Sequence, residues 1–112
     1  MPVIDQTTFD ELKQMSGLEF LNELIDTFLD DAPRMMQEMK SALEAKDADS
    51  FRRAAHSMKS NASTFGAGRL AELAQELESL GRENKLTDMG DRLTALEEAL
   101  RSACEALQGL KS

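Results

Sequence analysis

The sequence predicts an all-α protein, an antiparallel four-helix bundle with a short N-terminal helix capping one end. Three observations lead there. Apolar residues recur at helical spacing along nearly the whole chain of 112 residues. Tyrosine and tryptophan are absent and β-branched residues are few, which argues against a sheet. The periodic segments are joined by short links, so successive helices must lie side by side and antiparallel. Two prolines, six glycines and 41% hydrophobic residues fit a globular helical chain rather than a disordered one. At this length a single domain, 1–112, has enough apolar residues for one core.

Thr8-Phe9-Asp10-Glu11 has the threonine-to-glutamate spacing of a capping box, and predicts a short helix to about Gln14 with Phe9, Leu12 and Met15 on its apolar side. Ser16-Gly17-Leu18-Glu19 repeats the pattern, with Met15 and Phe20 placed as a hydrophobic staple. The next helix is predicted from Gly17 to about Ala45. Its stripe is Leu21, Leu24, Ile25, Phe28, Ala32, Met35, Met36, Met39 and Leu43. Pro33 removes a backbone donor there, and a break near Asp30 with Asp31 capping a new helix is the rival reading. The stripe keeps its phase across the proline, which favours one kinked helix.

Asp47-Ala48-Asp49-Ser50 supplies an N-cap and acids at the positive end of a third helix, reaching Phe65 with Gly66 as its C′ residue. Ala67-Gly68-Arg69 opens the fourth almost at once, with Leu70, Leu73, Ala74, Leu77 and Leu80 on one face and Gly81 at its end. Arg82–Leu86 is a polar connection. Thr87 or Asp88 caps the last helix, striped by Met89, Leu93, Leu96, Leu100, Cys104 and Leu107 and fraying near Gly109.

The third helix carries the only histidine. At ~100° per residue, Phe51, Ala55, Met58, Ala62 and Phe65 share a stripe roughly 80° wide, and His56 falls roughly 140° from Phe51. The imidazole therefore stands in water. Arg52, Arg53, Lys59, Ser60 and Ser63 lie beside it at helical neighbour spacings. Between Phe51 and Leu70 there is no acid, and the +4 of that segment leaves −12 for the remainder of a chain whose total is −8. A basic island centred on a single histidine suits the uptake of a group that arrives with negative charge, a phosphoryl group above all. Free imidazole is substantially neutral and nucleophilic near pH 7.

Ala55-His56-x-Met58-Lys59-Ser60, then Ala62, Phe65-Gly66-Ala67, Leu70, Ala74, Leu77 and Glu78, resembles the signature of histidine-containing phosphotransfer (HPt) domains. The likeness extends at lower specificity over about Asp5–Leu107. It implies that His56 accepts a phosphoryl group through Nε2 from the aspartyl phosphate of a receiver domain and passes it to another receiver. It also implies that Lys59 helps hold the phosphate. Ser60 stands where many members have glycine; a small residue there leaves room for the receiver. Arg52 and Arg53 are expected to offset phosphoryl charge to a lesser extent, and Ser60 and Ser63 to donate hydrogen bonds to its oxygens. The expected partners are receiver domains of hybrid sensor kinases and response regulators.

Other chemistry finds little support. One cysteine and one histidine make no metal site, so no cofactor is expected and the divalent metal should sit on the receiver. There is no Walker-type motif, no G-x-S-x-G and no H-E-x-x-H, so the chain reads as a transfer module rather than an enzyme with its own ATP site. Asp30-Asp31 reads as a solvated helix face. Cys104 reads as core. Most of the seven methionines read as core filling, with Met35, at its stripe's edge, the best placed for partner contact. The net charge of −8 disfavours nucleic acid and anionic lipid. No run is long enough to span a membrane and no signal peptide opens the chain. A cytoplasmic, free-standing monomer is expected. The competing classes are a helical adaptor docking an acidic partner through its basic flank, and the phosphoacceptor domain of a larger histidine kinase.

Overall fold

The computed structural model describes residues 3–111, with only the backbone described at residue 88. Five α-helices follow one another: α1 Gln6–Ser16, α2 Leu18–Glu44, α3 Ala48–Phe65, α4 Gly68–Arg82 and α5 Arg92–Leu110, with a 3-10 turn at Leu86–Asp88 before the last. No strand occurs among the described residues. α2 to α5 form the bundle, and their directions can be read from side-chain pairs. Phe28 packs on Phe65 with ring centroids 5.5 Å apart, and Asn61 Nδ2 lies 3.8 Å from Met35 Sδ, which makes α2 and α3 antiparallel. Lys40 pairs with Glu97 and Lys111 with Asp26, so α5 runs antiparallel to α2 as well. The molecule measures 41 × 25 × 20 Å, the long axis following the helices.

α2 is one continuous helix through Pro33, as the unbroken stripe requires. The proline side is exposed, where the lost backbone bond can be made good by water. Leu21, Ile25, Phe28, Ala32, Met36 and Met39 are buried from that stripe. Met35 is buried too, at 5% exposure, so it faces the core and the sulfur-facing Asn61 rather than a partner. Cys104 is half-buried against the core, and burial pushes its thiol pKa up.

Several helix ends differ from expectation. Asp5, not Thr8, caps α1: its Oδ2 accepts Thr8 Oγ1–H at 2.6 Å and Thr8 N–H at 3.4 Å, and the helix begins at Gln6. Both residues are good N-caps; the choice follows from a tertiary bond, Asp5 N–H to Gly66 O at 2.8 Å, which holds α1 across the end of α3. Ser16 ends α1, and Gly17, at φ 80°, is the N-cap of α2 without a side-chain bond. The staple is absent, since Met15 is 85% and Phe20 52% exposed. Asp47 does cap α3, and Gly66 does end it in the left-handed conformation, φ 77°. A side chain at 66 would also strike Thr8 Cβ at 2.9 Å.

Gly81 does not end α4. It is buried inside the helix, and an added Cβ would lie 3.1 Å from the Cα, Cβ and N of Arg52. Asn84, at φ 57°, makes the left-handed turn instead, with Lys85 N–H bonded to Leu80 O at 2.8 Å. α5 starts at Arg92 with Asp91 in the cap position, later than Thr87 or Asp88; the side chain of Asp88 lies outside the described residues. Met89 fills the core from the connection, not from the helix.

Candidate functional site

α3 buries Phe51, Ala54, Ala55, Met58, Ala62 and Phe65, and this leaves His56 on the outer side, 54% exposed. The N-terminus of the helix is held firmly. Asp47 Oδ1 accepts Ser50 N–H at 3.1 Å and Oδ2 accepts Ser50 Oγ–H at 2.7 Å, and these bonds draw the Asp47 pKa down. α4 packs closely against α3, and at Gly81 the absence of a side chain lets its backbone approach that of Arg52. One turn back from that close approach, Glu78 reaches the ring.

Glu78 is the centre of the site. It is the one charged side chain buried among the described residues, 1% exposed. Its Oε2 lies 2.9 Å from His56 Nδ1 and 3.1 Å from Arg82 Nη2. Its Oε1 accepts no well-aligned hydrogen bond but has Lys59 Nζ 2.7 Å away as an ion pair. Lys59 also donates to Gln75 Oε1 at 3.0 Å. Burial pushes the Glu78 pKa up; the close Lys59 ammonium and the bonded His56 ring outweigh it and hold the carboxyl below its usual range. An ionised carboxylate only accepts, so Nδ1 carries a proton, and in the neutral form of such a ring the lone pair is on Nε2.

Of the residues singled out in the sequence, the structure brings His56 and Lys59 together, through Glu78. It does not bring Arg52 and Arg53 to the ring. Arg52 Nη2 pairs with Asp49 Oδ1 at 3.0 Å, and Arg53 Nε with Asp49 Oδ2 at 3.3 Å, toward the start of the helix. Ser60 and Ser63 stand exposed further along α3. The basic island is thus less bare than its sequence suggests, because Asp49 and Glu78 enter from outside the acid-free segment. Gln75 and Arg82 carry no signal in the sequence pattern around His56, and Glu78 carries one only as part of the motif. A legible signal existed: Glu78 falls roughly 80° from Leu70 on the α4 wheel, on the stripe's edge, with an arginine four residues on.

A family model of the Hpt domain matches residues 23–109. The phosphorelay protein LuxU of Vibrio cholerae is 26% identical over 107 residues, covering 96% of this chain and 95% of LuxU. The sensory/regulatory protein RpfC of Xanthomonas campestris is 28% identical over 114 residues; that alignment covers 97% of this chain but only 16% of RpfC. The crystal structure of histidine-containing phosphotransfer protein B (HptB) from Pseudomonas aeruginosa superposes with a TM-score of 0.91 at 27% identity, covering 98% of this chain and 95% of that one. This chain belongs to the Hpt family. It is a histidine phosphotransfer module, an intermediate of two-component signalling.

Proposed function

We propose that His56 accepts a phosphoryl group from the aspartyl phosphate of a receiver domain and returns it to the aspartate of another. The observation that carries this is the 2.9 Å bond between His56 Nδ1 and a buried, ionised Glu78. It engages Nδ1 and so leaves Nε2 of the neutral ring as the attacking atom. In the forward step the Nε2 lone pair attacks phosphorus, the acyl-phosphate P–O bond breaks, and the aspartate leaves as carboxylate with the bonding pair. The Nδ1 proton stays on the ring, and the positive charge that develops there lies against the Glu78 carboxylate. Lys59 offsets the phosphoryl charge.

In this reading the phosphoryl donor is a receiver and not ATP, and the divalent cation belongs to the receiver. The chain acts as one unit, 1–112, in the cytoplasm and as a monomer. LuxU, of similar length, supports a separate relay protein. RpfC, several times longer than the part matched, supports the same module working inside a larger sensory protein. No helix among the described residues is long and apolar enough to cross a membrane.

The test is incubation with a phosphorylated receiver, followed by intact mass and stability of the product. Wild type is expected to gain one phosphoryl group that is acid-labile and alkali-stable. His56→Gln is expected to stay folded and gain none. No uptake across a panel of receivers would favour the adaptor, and an acid-labile adduct on His56→Gln would place the acceptor elsewhere.

A further inference from the structure

We infer that Arg82 is a positioning residue, a standby counter-ion that holds the Glu78 carboxylate while Lys59 leaves it for the phosphoryl group. This deepens the reading above and rests on His56 being the acceptor. At rest Lys59 Nζ is committed, 2.7 Å from Glu78 Oε1 and 3.0 Å from Gln75 Oε1. An ammonium tied to a buried carboxylate is not available to a phosphoryl group on Nε2. Were Arg82 absent, departure of the ammonium would leave an anion with 2% side-chain exposure held by the imidazole only, and a buried charge without a cation is strongly disfavoured.

Arg82 removes that conflict. It lies one helical turn beyond Glu78, its Nη2 is 3.1 Å from Oε2, and its side chain is 60% exposed, so it needs no rearrangement of the core. Glu78 thus has two cations where one would neutralise it. When Lys59 swings on its flexible stem toward the phosphoryl oxygens, Arg82 and Glu78 remain a neutral pair, and the Nδ1 bond on the same carboxylate oxygen persists. No covalent bond forms or breaks in this exchange; the ammonium trades one anionic partner for another. Without Arg82, Lys59 has to serve two anions at once.

The experiment measures phosphoryl uptake from a phosphorylated receiver, and the lifetime of the phosphohistidine, in Arg82→Gln and Arg82→Lys, each checked for folding by circular dichroism. Arg82→Gln is expected to slow uptake about tenfold, the scale on which one hydrogen-bonded charge pair changes a rate. Arg82→Lys, which keeps the charge, is expected to restore most of it. The decisive comparison is Arg82→Gln in a Glu78→Gln background. There the side chain at 78 has no charge to balance, so the second change should cost nothing further. Arg82→Gln at the wild-type rate would overturn the proposal. So would the same tenfold loss in the Glu78→Gln background, since Arg82 would then touch the phosphoryl group or the receiver directly. Failure of Arg82→Lys to restore the rate would also overturn it. Wild type that takes up no phosphoryl group at all would instead remove the underlying assignment of His56.

Discussion

Glu78 ties its own ionisation to the stability of the fold. Its carboxyl is held below the ordinary value of about 4.3 because Lys59 and His56 outweigh the upward push of burial. A depressed folded-state pKa means that the unfolded chain takes up the proton first. The stabilisation is therefore fully present above the unfolded value and is lost as pH falls through the folded one. Urea midpoints followed downward from pH 6 should decline below about pH 5, and Glu78→Gln should flatten that decline, because its amide does not titrate. Superimposable acid limbs would show that the carboxyl is not held down. His56 and Lys59 were legible in the sequence because a three-residue helical offset is local geometry. Glu78 is legible as an acid at the edge of the α4 stripe with Arg82 one turn on, but its place beside the ring is not, because that depends on the register between two helices. The turning of Arg52 and Arg53 toward Asp49 is local by contrast, at three- and four-residue offsets on α3, with the competing acid just outside the segment that looks purely basic.

That register is set at the level of elements by the crossing of α3 and α4. Glycine inside an exposed helix costs roughly 1 kcal/mol relative to alanine, so Gly→Ala is ordinarily stabilising. Gly109, with open space around its absent Cβ, should behave that way, and Gly109→Ala is expected to leave Tm unchanged or raise it slightly. Gly81→Ala should do the opposite. Its Cβ would meet backbone atoms of Arg52 at 3.1 Å, and backbone cannot swing aside as a flexible side chain can, so the helices must separate. Separation also stretches the Glu78–His56 bond one turn away. A lowered Tm together with slower phosphoryl uptake is expected; a variant that gained stability and kept its rate would show that the crossing is loose. The helices themselves were readable from period alone, and Asp47 and Gly66 from local cap chemistry. The misread ends share another cause. Thr8, Ser16 and Gly81 each carry a plausible local signal, but Asp5 bonded to Gly66 O, Gly17 at positive φ and the contact with Arg52 override it, and all three depend on the folded chain.

Across the whole molecule the bundle is a frame and the proposed site lies on one flank of it, so stability and transfer should be separable. The core runs from Ile4 to Leu107, while the site occupies the outer sides of α3 and α4 only. Leu107, on α5 and fully buried, is a fitting probe because α5 supplies none of the groups around Glu78. Leu107→Ala removes its packing and leaves a cavity, a change that costs roughly 2–5 kcal/mol. Against a total stability of about 5–15 kcal/mol for a domain, most molecules then remain folded in water while the denaturation midpoint falls substantially. Phosphoryl uptake per folded molecule should stay at the wild-type value, because α3 and α4 keep their crossing. Urea denaturation would give the loss, and uptake normalised to the folded fraction would give the chemistry. A marked drop in normalised uptake would mean that the α3–α4 register is set by the whole core, and that the frame and the flank are not independent.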